Sequence, residues 1–167
     1  IVVNIADAHQ PWGAPSSNMD WSSEYGVGIF YSKKNREGDY SRYLRGEMDP
    51  MRTPHFEAQV NDAYDAAVFM ADENLAYFLD RLLQLGFCET AGCRVVITSD
   101  HGEMLGEHRL LDHGHYAYQS NVEVPLIVAH LGGPEGMEWD SVELPERVSG
   151  LVVHDLLLTG RLPDPLP

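Results

Sequence analysis

Apolar residues recur every three or four positions through the middle of the chain, between Phe56 and Leu82. This spacing lines one face of an α-helix and predicts a long helix that packs against a core. Gly86 predicts the end of the helix, because glycine readily adopts the left-handed conformation of a C-cap. The stripe consists of Phe56, Val60, Tyr64, Val68, Ala71, Leu75, Phe78, Leu79 and Leu82.

Apolar runs on both sides of this helix predict strands at residues 1–6, 94–98 and 122–129, with a weaker candidate at 147–153. The order strand, long helix, strand indicates a right-handed crossover, so we expect an α/β fold with a mainly parallel sheet flanked by helices. Residues 10–53 have no clean period and predict a long surface loop with at most short helices, and residues 152–158 predict a short helix.

The charge balance limits the partners that the chain can bind. With 26 acidic and 11 basic residues, the net charge is −15. This charge repels nucleic acids and anionic membrane surfaces, and it is compatible with a high-salt environment. The sequence contains no run of eighteen apolar residues, so it predicts no membrane span. We therefore expect neither a nucleic-acid nor a membrane partner.

Two cysteines, Cys88 and Cys93, follow the predicted helix with four residues between them. They are close enough for a disulfide, but no neighbouring cysteine or histidine completes a zinc site with them. Two free thiols are the favoured interpretation.

Two of the predicted strands run directly into residues that can bind metal ions. The first leads to Asp7 and His9, and the second leads to Asp100 and His101. In open α/β sheets, ligands bind beyond the carboxyl ends of the strands. Carboxylate oxygens and imidazole nitrogens bind zinc, manganese and harder cations. Four of the eight histidines lie between positions 101 and 115, which favours a site at this end of the sheet.

A longer pattern extends from Val95 to Val128 and reads VVITSDHGEMLGEHRLLDHGHYAYQSNVEVPLIV. It resembles the late signature of sulfatases, phosphonate monoester hydrolases and phosphoethanolamine transferases, which belong to the alkaline phosphatase superfamily. The segment NIADAHQPW at residues 4–12 and the helix at 63–86 are also similar to this family. Arg109, Glu123 and the run 119–121 depart from the pattern without touching the proposed ligands.

The resemblance implies an alkaline phosphatase-like fold and a role for four residues. Asp100 and His101 match metal ligands, so the implied cofactor is a divalent metal ion such as calcium, manganese or zinc. His113 matches a position that binds the anion or assists the leaving group, and His9 matches a histidine that contacts the substrate. The implied substrate is a small sulfate or phosphate ester. Asp7 and Asp112 are expected to be turn or supporting residues.

The family's paired acidic ligands and its C/S-x-P-x-R nucleophile motif have no counterpart in the sequence. We therefore expect residues 1–167 to be the C-terminal portion of one sulfatase-like domain, whose missing N-terminal portion carries the nucleophile and acts as its partner. The leading hypothesis is a sulfuric or phosphoric ester hydrolase. The alternatives are a non-catalytic metal-binding or interaction subunit and, third, a phosphomutase of the same superfamily.

Overall fold

The computed structural model describes residues 2–6, 8–9, 33–114, 116–133 and 147–160. The helices are α1 (Lys33–Leu44), α2 (Thr53–Gln84), α3 (Gln119–Val122) and α4 (Leu151–Thr159), and the strands are β1 (Cys93–Thr98), β2 (Met104–Leu105), β3 (Leu111–Asp112) and β4 (Leu126–Leu131). These elements form two compact units, one from Ile1–Phe78 and His101–Val122, the other from Leu79–Asp100 and Glu123–Pro167.

The first unit packs α1, the N-terminal part of α2 and the β2–β3 hairpin around a shared apolar core. Its buried members are Tyr43, Met48, Phe56, Val60, Ala63, Ala67 and Leu111. The contributions of α2 recur at three- and four-residue spacing, as an amphipathic helix requires, but of the four only Phe56 and Val60 belong to the predicted stripe. Val68 belongs to the predicted stripe but is 42% exposed.

The second unit is built on an antiparallel pair of strands, β1 and β4, with Cys93 opposite Leu131 and Thr98 opposite Leu126. A disulfide joins Cys88 to Cys93. Gly132 has a positive φ of 66°, and a Cβ at this position would clash with the carbonyl oxygen of Cys88. Glycine therefore permits the chain that leaves β4 to pass close to the disulfide loop.

Several sequence predictions are confirmed. The long helix α2 is present, and Gly86 follows it with a φ of 74° while its N–H donates to Leu83. Residues 94–98 form most of β1, and residues 126–129 of the strand predicted at 122–129 pair with it in one sheet. The short helix predicted at 152–158 is α4.

Other predictions are not confirmed or differ from the structure of the described residues. Both strand pairs in the described part of the chain are antiparallel, so the mainly parallel sheet is not confirmed. Residues 2–6 form no strand, and residues 147–153 contribute to a turn and to α4 instead. The strand predicted from residue 122 begins at Leu126, because Pro125 has no N–H to donate to the ladder.

The predictions for the two cysteines and for the long loop also differ from the structure. Cys88 and Cys93 are disulfide-bonded rather than free. Within the predicted loop, the structure has the twelve-residue helix α1, while residues 10–32 lie outside the described residues. Among the described helices, none combines the length and the apolar character that crossing a membrane requires.

Candidate functional site

The candidate site is organised by the β2–β3 hairpin of the first unit. Met104 pairs with Asp112 and Leu105 with Leu111. Between the strands, the chain makes a tight turn in which His108 and Arg109 have positive φ angles of 54° and 58°. Residues other than glycine pay a conformational cost for such angles. The hairpin therefore depends on interactions that hold the turn in place.

Side chains of α1 and α2 provide these interactions. The hydroxyl of Tyr43 donates to Oε1 of Glu57 at 2.7 Å and lies 3.1 Å from the carbonyl oxygen of Gly106. The amide of Asn61 donates to the carbonyl oxygen of Leu105 at 3.1 Å. Since both carbonyl oxygens lie at the end of β2, these contacts fix the hairpin against the two helices.

Three histidines that the sequence predicts as site residues come together beside the hairpin. His9, His101 and His113 offer ring nitrogens that all lie within 4.8 Å of one another. The rings of His101 and His113 stack with centroids 3.9 Å apart, and the ring of His9 lies 5.1 Å from that of His113 at a steep angle. His9 is exposed, whereas the other two are partly buried. One side of the cluster is thus open to solvent.

His113 is held by two carboxylates at the same ring nitrogen. Its Nδ1 lies 2.8 Å from Oε1 of Glu103 and 3.1 Å from Oδ1 of Asp112. Ionised carboxylates only accept hydrogen bonds, so the proton of a neutral His113 ring belongs on Nδ1. Nε2 then carries the lone pair and is the nitrogen available for chemistry.

Glu103 is the most unusual acidic residue of the site because it is only 9% exposed. Burial raises the pKa of its carboxyl group, while the hydrogen bond from His113 and the charge of His113 act in the opposite direction. Its second oxygen, Oε2, is buried and has no hydrogen-bond partner within the described part of the chain. Glu103 lies within the pattern of residues 95–128, but the resemblance implied no role for it.

The donor atoms fit the divalent metal ion that the sequence resemblance implies. Nδ1 of His101 lies 3.0 Å from the carbonyl oxygen of Gly102. That carbonyl oxygen can only accept, so the lone pair of a neutral ring lies on Nε2. A metal-binding histidine typically has its other ring nitrogen engaged in this way. Besides the three clustered histidines, a second group of possible metal ligands combines imidazole and carboxylate donors. It consists of Glu103, Asp112 and His113.

Asp100, the fourth predicted site residue, and the other polar residues near the site differ in their surroundings. Asp100 follows β1 in the second unit, is exposed, and directly precedes His101 in the chain. Asp112 has a φ of 78° and its Oδ1 accepts the backbone N–H of His113 at 2.8 Å. The ring of His108 stacks on Tyr118 with centroids 4.3 Å apart. Asp7 and His115 lie outside the described residues.

Comparisons with known proteins support the resemblance seen in the sequence. A family model described as Sulfatase matches residues 9–159, a range that contains all four predicted site residues. No curated protein and no solved structure matches the chain.

Proposed function

The chain belongs to the sulfatase family, and on this premise we propose that it carries part of the active site of a metal-dependent hydrolase of sulfuric, phosphoric or phosphonic esters. The observation that carries the proposal is the convergence of His9, His101 and His113 within the matched range. Three imidazoles at this distance, on a face partly open to solvent, suit a small anionic ester better than they suit a packed core.

Asp100 and His101 would hold the divalent metal ion, which is calcium, manganese or zinc. They are adjacent in the chain, and the tautomer inferred for His101 leaves Nε2 able to bind a cation. When bound, the ion neutralises negative charge on the ester oxygens and lowers the cost of forming an anionic nucleophile.

His113 would act on the oxygen that becomes negatively charged as the ester bond breaks. With Nδ1 held by Glu103, a proton on Nε2 is directed away from the carboxylate and can pass to the leaving oxygen. The nearby negative charge of Glu103 stabilises the protonated ring before this transfer. His9 would donate a hydrogen bond to another oxygen of the anion.

The nucleophile would come from outside these 167 residues, because the sequence contains neither the paired acidic ligands nor the C/S-x-P-x-R motif. The chain would be the C-terminal portion of one sulfatase-like domain. On its own it should not hydrolyse aryl sulfates or aryl phosphates above the rate that the metal ion alone supports.

The catalytic role is tested in a complete protein that joins this chain to its nucleophile-bearing portion. His113→Ala should lower kcat by about 10²- to 10⁴-fold, the usual effect of losing a general acid or an oxyanion contact. The matched control is His130→Ala, since His130 is an exposed histidine on β4. Full activity in the first variant together with loss of activity in the second would overturn the assignment. A complete protein that binds metal but turns over no ester would support the non-catalytic alternative.

The metal role has a separate test in the isolated chain. Titration calorimetry should show weak binding of zinc or manganese, because few ligands come from this chain and water fills the remaining positions. Asp100→Ala and His101→Ala should each weaken it further. Tight binding that survives Asp100→Ala would show that the ion sits elsewhere.

A further inference from the structure

We propose that Glu103 is a positioning residue that fixes the tautomer and the ring orientation of His113. The inference concerns a contact within the first unit and can be tested without substrate or metal. It rests on the proposed function only where it predicts a change in rate.

The backbone itself places the two residues opposite each other. Met104 faces Asp112 and Leu105 faces Leu111 in the β2–β3 ladder. One step further along this register, Glu103 faces His113, and their side chains meet at 2.8 Å. The contact is therefore set by strand pairing and does not depend on the chance meeting of two mobile surface side chains.

The cost of burying Glu103 argues that its charge has a purpose. Its side chain is 5% exposed, compared with 21% for His113. A buried carboxylate costs several kcal/mol unless it is paired, and apolar residues of similar volume usually serve stability at least as well. The described partner of this carboxylate is His113. A paired, buried acid behind a partly exposed imidazole is the arrangement that fixes a histidine tautomer in many sites.

Asp112 contacts the same nitrogen but is less suited to this role. Its side chain is 36% exposed, and its Oδ1 already accepts the backbone N–H of His113. Its Oδ2 accepts a hydrogen bond from Tyr40 at 3.3 Å. Asp112 thus stabilises the end of the hairpin, whereas the contact of Glu103 with Nδ1 is shorter and more buried.

Ring stacking supplies the remaining constraint. With Nδ1 tied to Glu103, rotation of the His113 ring is limited further by the ring of His101, whose centroid lies 3.9 Å away at an interplanar angle of 25°. The two contacts together limit the orientation of the His113 ring within the cluster, where the centroid of the His9 ring lies 5.1 Å from its own. Loss of Glu103 should release both the tautomer and the orientation.

The direct test is ¹⁵N nuclear magnetic resonance of the histidine rings in the 167-residue chain, at about pH 8, where an ordinary histidine is neutral. His113→Gln identifies the signals of His113 among those of the eight histidines. The wild type should show a protected Nδ1–H on His113. Glu103→Leu should abolish that signal, and Glu103→Gln should retain it, because the amide oxygen can still accept the hydrogen bond.

Two controls separate positioning from general damage to the fold. Glu47→Leu removes a different carboxylate of the first unit, the acceptor of Arg45, and should leave the His113 signal in place. Unchanged amide shifts of Leu105 and Leu111 in Glu103→Leu would show that the hairpin is intact. A wild-type His113 protonated on Nε2, or an Nδ1–H that persists in Glu103→Leu, would overturn the proposal even if other variants fail to fold.

A kinetic test then links positioning to the reaction. In the complete protein, Glu103→Leu should lower kcat by about 10- to 100-fold with KM little changed, and Glu103→Gln should recover most of the rate. If His113→Ala proved harmless there, the proposed function would fail while the resonance result for Glu103 would still stand.

Discussion

The two compact units differ in how their segments are held together. In the first, hydrogen bonds from side chains join residues far apart in sequence, such as Tyr43 to Gly106, Asn61 to Leu105 and Tyr40 to Asp112. In the second, a regular antiparallel ladder of six residue pairs and a disulfide across a short loop provide the connections. The clustered histidines lie in the first unit, beside a hairpin whose strands have only two residues each.

This difference indicates how precision is achieved at the candidate site. A hairpin whose strands have two residues each is not stable alone, so its geometry must come from the helices that contact it. The apolar core of the first unit provides stabilising free energy. The hydrogen bonds from Tyr43, Asn61 and Tyr40 fix the position of the hairpin. In the second unit, the backbone ladder does both. Mutations in the two units should therefore lower the free energy of unfolding by different amounts and should disturb different segments around them.

The largest expected effect is loss of the apolar core in the first unit. Phe56 is 7% exposed and its ring lies 5.1 Å from that of Tyr43. Phe56→Ala should lower the free energy of unfolding by about 3–5 kcal/mol, through lost burial and the cavity left behind. Urea denaturation measures the loss, and amide exchange at Leu105 shows whether the hairpin opens with it.

The matched control lies on the same helix. Val68 is 42% exposed, so Val68→Ala should change stability by no more than about 0.5 kcal/mol. Equal losses in the two variants would mean that the core of this unit does not depend on the buried stripe of α2.

A smaller effect is expected from the disulfide of the second unit. The double variant Cys88→Ser, Cys93→Ser should cost about 2 kcal/mol, the chain-entropy value for so short a loop. Amide exchange should accelerate in β1 and remain unchanged in α1. Reduction of the wild type should give the same loss. A variant as stable as the wild type would indicate that the ladder and the turn at Gly132 hold this unit without the covalent bond.

Much of the fold was predictable where one local rule decided the outcome. The stripe from Phe56 predicted α2, Gly86 predicted its end, and apolar runs predicted β1 and most of β4. The rule failed where tertiary context decided. Residues 2–6 have the composition of a strand, but no described neighbour pairs with them. The polar helix α1 has no strong amphipathic pattern, and Gly38 lowers its helical propensity further.

The site shows the same limit. The sequence predicts His9, His101 and His113 as chemically important residues, and their rings lie close together in the structure. Whether they act as proposed stays a prediction. The sequence did not predict the pairing of Glu103 with His113, because it depends on the register of two very short strands. Such strands are too short for an alternating pattern to reveal them.

The smallest effect should come from the polar anchor between the helices and the hairpin. Tyr43 is fully buried, and Tyr43→Phe removes its hydroxyl contacts with Glu57 and with the Gly106 carbonyl oxygen of the hairpin while keeping the ring. We expect a loss of about 1 kcal/mol near neutral pH. Tyr77→Phe is the matched control, since Tyr77 is 69% exposed on the same helix as Glu57.

The pH dependence of this variant distinguishes an anchor from simple packing. Burial, followed by the hydrogen bond to Glu57 and the charge of Glu57, raises the pKa of Tyr43 above its ordinary value. The folded state therefore holds the phenolic proton more tightly than the unfolded state does. Stability from this group is fully present below about pH 10, the ordinary pKa of tyrosine, and declines as the pH rises beyond it. The phenylalanine variant has no such proton, so the stability gap between it and the wild type should narrow in alkaline solution. Chemical denaturation of both proteins at neutral pH and above about pH 10 measures the gap. A gap that stays constant across this range would show that the Tyr43 hydroxyl does not anchor the hairpin as the structure indicates.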